Sequence, residues 1–164
     1  MINRFDVAPE RCEERDIVFD APQAVDGLWD PVRIDHVVTN LVSNALKYSP
    51  AGGEVRVRIV EDDNWVQLDV TDSGIGIPAD EQDLLFEPFA RGSNTGENIA
   101  GSGLGLYIAN RIVQRHGGTI AIQSALGTGT TVTARLPRNP MDSLLLDGSS
   151  TRGVYVSASL SSRV

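Results

Sequence analysis

Asn40, Asn44 and Lys47 stand at i, i+4 and i+7 in an aliphatic stretch. At 100° per residue they leave one side of a helix within about 60° of arc. Their chemistry suits phosphate and metal. A carboxamide oxygen is a neutral ligand for Mg²⁺, and a lysine offers a point charge to phosphate oxygens. On its own the stripe reads equally as a solvated helix face. Further on, Asp72-Ser73-Gly74-Ile75-Gly76-Ile77-Pro78 sets a carboxylate at a strand end, followed by glycines two apart. Such a carboxylate can accept a hydrogen bond from an exocyclic amine such as that of adenine, or simply open an Asp turn. Gly101-Ser102-Gly103-Leu104-Gly105-Leu106 precedes an amphipathic run, where the free N–H groups and dipole of a helix start favour a phosphate. It fits neither G-x-G-x-x-G after a strand nor the lysine-bearing P-loop.

These groups need elements to hold them. Asp30 is a good N-cap and Pro31 a good first helical residue, and the spacing predicts a helix from there to about Tyr48. Its core face is Ile34, Val37, Val38, Leu41, Val42 and Ala45. Alternation over Glu54 to Glu61 and Trp65 to Thr71 predicts an antiparallel hairpin. Short strands are expected at Asp16 to Phe19 and Gly27 to Trp29, and a short helix at Ala79 to Leu85. Arg91 to Ala100 lacks an apolar period and is expected to be a mobile loop. A second helix is expected from Ser102 to His116, with Leu104, Ile108 and Ile112 inward and Gly117-Gly118 as its C-cap. Strands Thr119 to Ser124 and Thr130 to Pro137 follow, around the turn Gly127-Thr128-Gly129. The sum is an α/β fold: a two-layer α/β sandwich with helices on one face of a mixed, mostly antiparallel sheet.

At 164 residues the chain holds one domain, placed at residues 26–140. Residues 1–25 read as a lead-in containing the first strand, and the serine-rich residues 141–164 as a disordered tail. The formal charge of −8 argues against a nucleic acid or an anionic membrane as main partner. No apolar run reaches the ~18 residues of a membrane span, and Met1 to Glu10 lacks a signal-peptide layout. The single cysteine, Cys12, favours a reducing compartment, hence the cytoplasm. Two histidines and one cysteine make a structural zinc site a poor fit.

In order, these segments resemble the nucleotide-binding domain of sensor histidine kinases, in the Bergerat-fold superfamily shared with gyrase, Hsp90 and MutL. Asn40 to Pro50 resembles the N box, Asp72 to Ile77 the G1 box, Leu85 to Arg91 the F box and Gly101 to Leu106 the G2 box. His116-Gly117-Gly118 and Gly127-Thr128-Gly129-Thr130 also stand where the family carries such turns. The resemblance implies that Asn44 holds Mg²⁺, with Asn40 supporting the metal or its waters, and that Lys47 meets the phosphates. Tyr48 would pack near adenine and ribose, and Asp72 would take the adenine amine. Gly74 and Gly76 would allow close backbone approach, with Ile77 beside them. Phe86 to Ala100 would be the ATP lid, Phe86 and Phe89 anchoring its base and Arg91 reaching the γ-phosphate. Gly101, Gly103 and Gly105 would hinge the lid and, with Ser102, Leu104 and Leu106, contact the nucleotide.

The implied activity is transfer of the ATP γ-phosphoryl group to a histidine on a separate dimerisation and phosphoacceptor domain, with a response regulator receiver domain downstream. Asn40, Asn44, Lys47 and Arg91 would be the catalytic residues. Neither His36, beside the N box, nor His116, at a helix end, suits the acceptor role. Gyrase-like and Hsp90-like members carry a glutamate general base where this chain has Asn40, and an amide cannot replace it. A serine kinase of the anti-sigma type and a non-catalytic ATP sensor are the other readings. The isolated domain is expected to be a monomer in the cytoplasm, with no membrane span of its own, as in the cytoplasmic part of a membrane-bound sensor.

Overall fold

The computed structural model describes residues 16–95, 99, 101–139 and 156–159. Five strands form its main sheet: β1 (Ile17–Asp20), β3 (Val55–Glu61), β4 (Trp65–Asp72), β5 (Thr119–Ala125) and β6 (Gly129–Pro137). Their order is β1-β3-β4-β6-β5. Only the β1–β3 pair is parallel, while β3–β4, β4–β6 and β5–β6 are antiparallel. The strands alternate as their sequences require. Val55, Val57, Leu68, Val70, Val132, Ala134 and Leu136 turn inward and are buried.

Helices α1 (Pro31–Lys47) and α2 (Gly105–Arg115) cover that inner face. The start of α1 follows its sequence signal, since the Asp30 carboxylate accepts the N–H groups of Val32 and Arg33 at 3.0 and 3.2 Å. Val37, Leu41, Val42 and Ala45 are buried, and Ile34 and Val38 pack partly buried beside them. At the other end the buried Ser49 hydroxyl donates to the Ala45 carbonyl at 2.8 Å. This fold is the expected α/β sandwich.

Several details differ from expectation. Helix α2 starts at Gly105 rather than Ser102, because Gly103 sits at φ +70°, a left-handed conformation in which the helix cannot begin. The inward stripe is consequently Ala109, Ile112 and Val113, while Ile108 is 40% exposed. The second strand, β2, lies at Ala24–Gly27 and not at 27–29. Trp29 instead folds its ring against Gly27 and donates from Nε1 to the Pro137 carbonyl at 2.7 Å. The short helix expected at 79–85 is a single 3-10 turn, Asp83–Phe86.

Most of the lead-in (1–15), residue 140 of the expected domain, and the stretches 141–155 and 160–164 of the expected tail lie outside the described residues. Within the tail, Val156–Ser159 form strand β7, antiparallel to β2, so for these four residues the structure has a strand where disorder is expected.

Candidate functional site

The C-terminal half of α1, the turn after β4, the loop after the 3-10 turn and the start of α2 surround a cavity of about 470 Å³. From α1 it is lined by Asn40, Asn44 and Lys47, from the C-cap that follows by Tyr48, and from the end of β4 and its turn by Asp72, Gly76 and Ile77. Arg91 and all six residues from Gly101 to Leu106 complete the expected set. Gly74 and Phe86 are not among the lining residues. Gly74 acts from behind, where a Cβ would collide with the Tyr48 carbonyl and stand 2.8 Å from Asp72 Oδ1. Phe86 is half-buried, and its neighbour Leu85 supplies the wall.

Sequence reasoning missed the apolar floor formed by Leu41, Val70, Ile75 and Val132, together with Thr130 and Asn94. The floor was implicit in the strand period. Val70 shares its face with Asp72, and the register sets Val132 and Thr130 opposite those two.

One end of the cavity is built around Asp72, which is 8% exposed. Burial raises its carboxyl above the usual carboxylate range, against the opposing pull of backbone N–H groups from Gly74 and Thr130. Gly74 N–H donates to its Oδ1 at 2.8 Å. The turn that follows is pinned from several sides. Ile75 N–H donates to the Tyr48 carbonyl and Gly127 N–H to the Ile75 carbonyl, at 3.0 and 2.9 Å. Ile77 N–H donates to Ser124 Oγ at 2.9 Å. Gly76 is held at φ +68° hard against the Ala125 carbonyl, a position closed to any side chain.

The opposite end is polar and cationic. A Cβ on Gly105 would stand 3.5 to 3.7 Å from the carboxamide atoms of Asn40 and Asn44, so both amides face the start of α2. Lys47 Nζ donates to Tyr48 Oη at 3.0 Å and lies 4.5 Å from the centre of that ring. Among the described residues no carboxylate pairs with Lys47, and Gly101 lacks the side chain that would collide with its ammonium. No group of three acidic, histidine or cysteine side chains gathers to hold a metal among the described residues. The donor set available is carboxamide oxygen, which fits Mg²⁺ shared with phosphate rather than held by protein alone.

The loop between the F-box and G2-box segments is closed at its base by backbone. Phe89 N–H donates to the Gly103 carbonyl at 3.1 Å, with Phe89 itself at φ +65° and 73% exposed. Phe89 thus closes the loop through its peptide, and its ring is not the anchor expected. Arg91 donates to the Ile99 carbonyl at 2.6 Å. Residues 96–98 and 100 of the expected lid lie outside the described residues.

A helix-covered sheet, a buried carboxylate at one end of a cavity and amides, lysine and a helix start at the other define an ATP-binding sandwich domain. Residues 29–140 match the family described as histidine kinase-, DNA gyrase B-, and HSP90-like ATPase, and the chain belongs to it. It is 40% identical over 104 residues to the histidine protein kinase DivJ of Caulobacter vibrioides, covering 63% of this chain and 17% of that protein. With the sensor histidine kinase WalK of Bacillus subtilis the identity is 42% over 111 residues, 66% of this chain and 18% of the relative. Among solved structures, the mycobacterial sensor histidine kinase MprB superposes with a TM-score of 0.67 at 36% identity, covering 77% of this chain and 86% of the other. The catalytic domain of histidine kinase ThkA gives 0.63 at 29% identity, covering 76% and 81%. The chain is a catalytic, ATP-binding domain of the two-component sensor histidine kinase type, and it spans less than a fifth of the length of DivJ or WalK. No helix among the described residues is long and apolar enough to cross a membrane.

Proposed function

We propose that this domain binds Mg-ATP in the cavity and delivers the γ-phosphoryl group to a histidine on a separate dimerisation and phosphoacceptor domain, from which a response regulator receiver domain takes it. The observation that supports this most is the polarity of one cavity: Asp72 at one end, Asn40, Asn44, Lys47 and the α2 start at the other. Asp72 accepts the adenine amine while the floor of Val70, Ile75 and Val132 covers the ring. Tyr48 packs beside base and ribose. Lys47 and the N–H groups of Gly103 to Leu106 neutralise phosphate oxygens, and Arg91 reaches the γ-phosphate by leaving its loop carbonyl.

Asn44 holds Mg²⁺ with Asn40 behind it; when bound, the ion neutralises phosphate charge. Phosphoryl transfer asks for positioning and charge neutralisation more than for covalent help from the protein. Asn40 cannot take a proton from water, so hydrolysis without an acceptor is slow. The domain works as a monomer in the cytoplasm, and neither His36 nor His116 is its acceptor.

The test is to incubate the chain and γ-labelled Mg-ATP with the dimerisation domain of a related sensor kinase. Acid-labile label on that domain, lost with Asn44→Ala, is the expected result. Tight ATP binding with no transfer to any partner domain would favour a nucleotide sensor, and rapid phosphate release by the chain alone would contradict the role given to Asn40.

A further inference from the structure

Nearly every polar backbone group of the turn at residues 75–77 has a partner, and one of those partners comes from the lid. The Asn94 amide donates from Nδ2 to the Gly76 carbonyl at 2.8 Å. Next to it, Ser93 N–H donates to the Glu81 carboxylate at 2.8 Å, and the Ser93 hydroxyl first, then this N–H, hold Glu81 below its usual range. Gln82 donates to the Ile77 carbonyl at 3.3 Å, and the remaining groups are taken by Tyr48, Gly127 and Ser124. Of this turn's groups, the Gly76 N–H alone has no protein partner among the described residues, and Gly76 lines the cavity beside Asp72.

The hydrogen-bonding edge of adenine pairs a donor, the exocyclic amine, with an adjacent acceptor, ring nitrogen N1. A carboxylate and a free N–H on one turn are complementary to both. The N–H belongs to the Ile75–Gly76 peptide, which Gly127 holds by the Ile75 carbonyl, and Asn94 grips the next peptide, Gly76–Ile77, so that Gly76 is fixed from its other side. The Asn94 grip is marginal, because Asn94 Oδ1 is buried without a donor, and a buried acceptor left unmade opposes the docked state. Gly92 leaves room for this placement of the carboxamide, since a Cβ there would stand 2.9 Å from Asn94 Oδ1.

We propose that Asn94 is a positioning residue for base recognition: by docking on the Gly76 carbonyl it couples the first arm of the lid to the turn whose free N–H reads the base. The proposal rests on the cavity being an ATP site in which Asp72 takes the amine. It makes lid docking and base identity one event. A nucleotide lacking the N1 acceptor gains nothing from the docked arm.

Binding of ATP and of 1-deaza-ATP, which has C–H in place of N1, to the chain and its variants is the test, read by calorimetry with Mg²⁺ present. The parent chain is expected to prefer ATP by about tenfold, the size of one well-made hydrogen bond. Asn94→Ala should weaken ATP severalfold, leave 1-deaza-ATP unchanged and shrink the preference to within about twofold. Glu81→Ala, which releases the same arm without touching Asn94 or the turn, should shift the preference in the same direction. Equal weakening of both nucleotides by Asn94→Ala, unchanged affinity for both, or a parent chain that binds the two alike would each overturn the proposal while leaving the ATP reading intact. A parent chain that binds neither nucleotide would overturn the ATP reading, and this proposal with it.

Discussion

Asp72 is the residue at which stability and the proposed base recognition oppose each other. Its carboxyl is raised by burial, so ionisation at neutral pH disfavours the folded state relative to the unfolded one. The stability it contributes is therefore present at acid pH, below the unfolded value near 3.8, and is lost as pH rises through the raised folded value. Asp72→Asn keeps an oxygen for the Gly74 N–H and removes the charge. It is expected to raise the melting temperature at pH 7 by a few degrees, with the gain vanishing in melts near pH 3.5, and to abolish ATP binding. A variant less stable than the parent at pH 7 would contradict this account. Lys47 gives a second prediction at the same scale. A Cβ on Gly101 would collide only with the end of that flexible side chain, so Gly101→Ala should leave the melting temperature within about a degree. It should nonetheless weaken ATP about tenfold and adenosine hardly at all, because adenosine has no phosphates for the displaced ammonium to meet. That Asp72 and Lys47 stand in one cavity was legible from residue type and spacing. Asn94 was not, because its role depends on a loop folding back 18 residues to Gly76, which no local pattern encodes.

The two helices differ in how openly the sequence announced them. Helix α1 carried a capping aspartate, a proline at its first position and an unbroken aliphatic stripe, and its bounds came out within a residue. Helix α2 carried a glycine-rich start whose conformation depends on contacts made elsewhere. Gly103 must approach Phe89 and Ala90 across the loop, and this defers the helix to Gly105 and moves Ile108 from core to cavity. Its other end was legible. Gly118 N–H donates to the Val113 carbonyl and Gly117 N–H to Gln114, both at 3.0 Å, with Gly117 at φ +74°. Replacing Gly117 by alanine forces a Cβ into the left-handed region. The change should lower stability by about 1 kcal/mol in urea unfolding and leave ATP affinity unchanged once the protein is folded. A loss of affinity in the folded variant would mean that the far end of α2 also sets the geometry of its phosphate-facing start.

Across the whole molecule, an acidic chain of formal charge −8 must admit an anion. At long range the domain repels Mg-ATP, while in the proposed site Lys47, Arg91 and the α2 start, which line the cavity, would attract it at contact. The two terms are screened differently. The long-range field decays within the ~10 Å Debye length at 0.1 M salt, whereas contacts inside a partly buried cavity are screened much less. Raising salt from 0.05 to 0.5 M should therefore speed association of Mg-ATP or leave it unchanged, and should accelerate dissociation only modestly. The outcome is an affinity nearly flat in salt, measurable by stopped-flow displacement of a fluorescent nucleotide. A binder whose global charge attracts its ligand does the opposite, losing association rate steeply as salt rises. If association slowed severalfold over this range, the local cationic end would have to dominate the far field, and the site would be more open to solvent than the floor of Val70, Ile75 and Val132 allows.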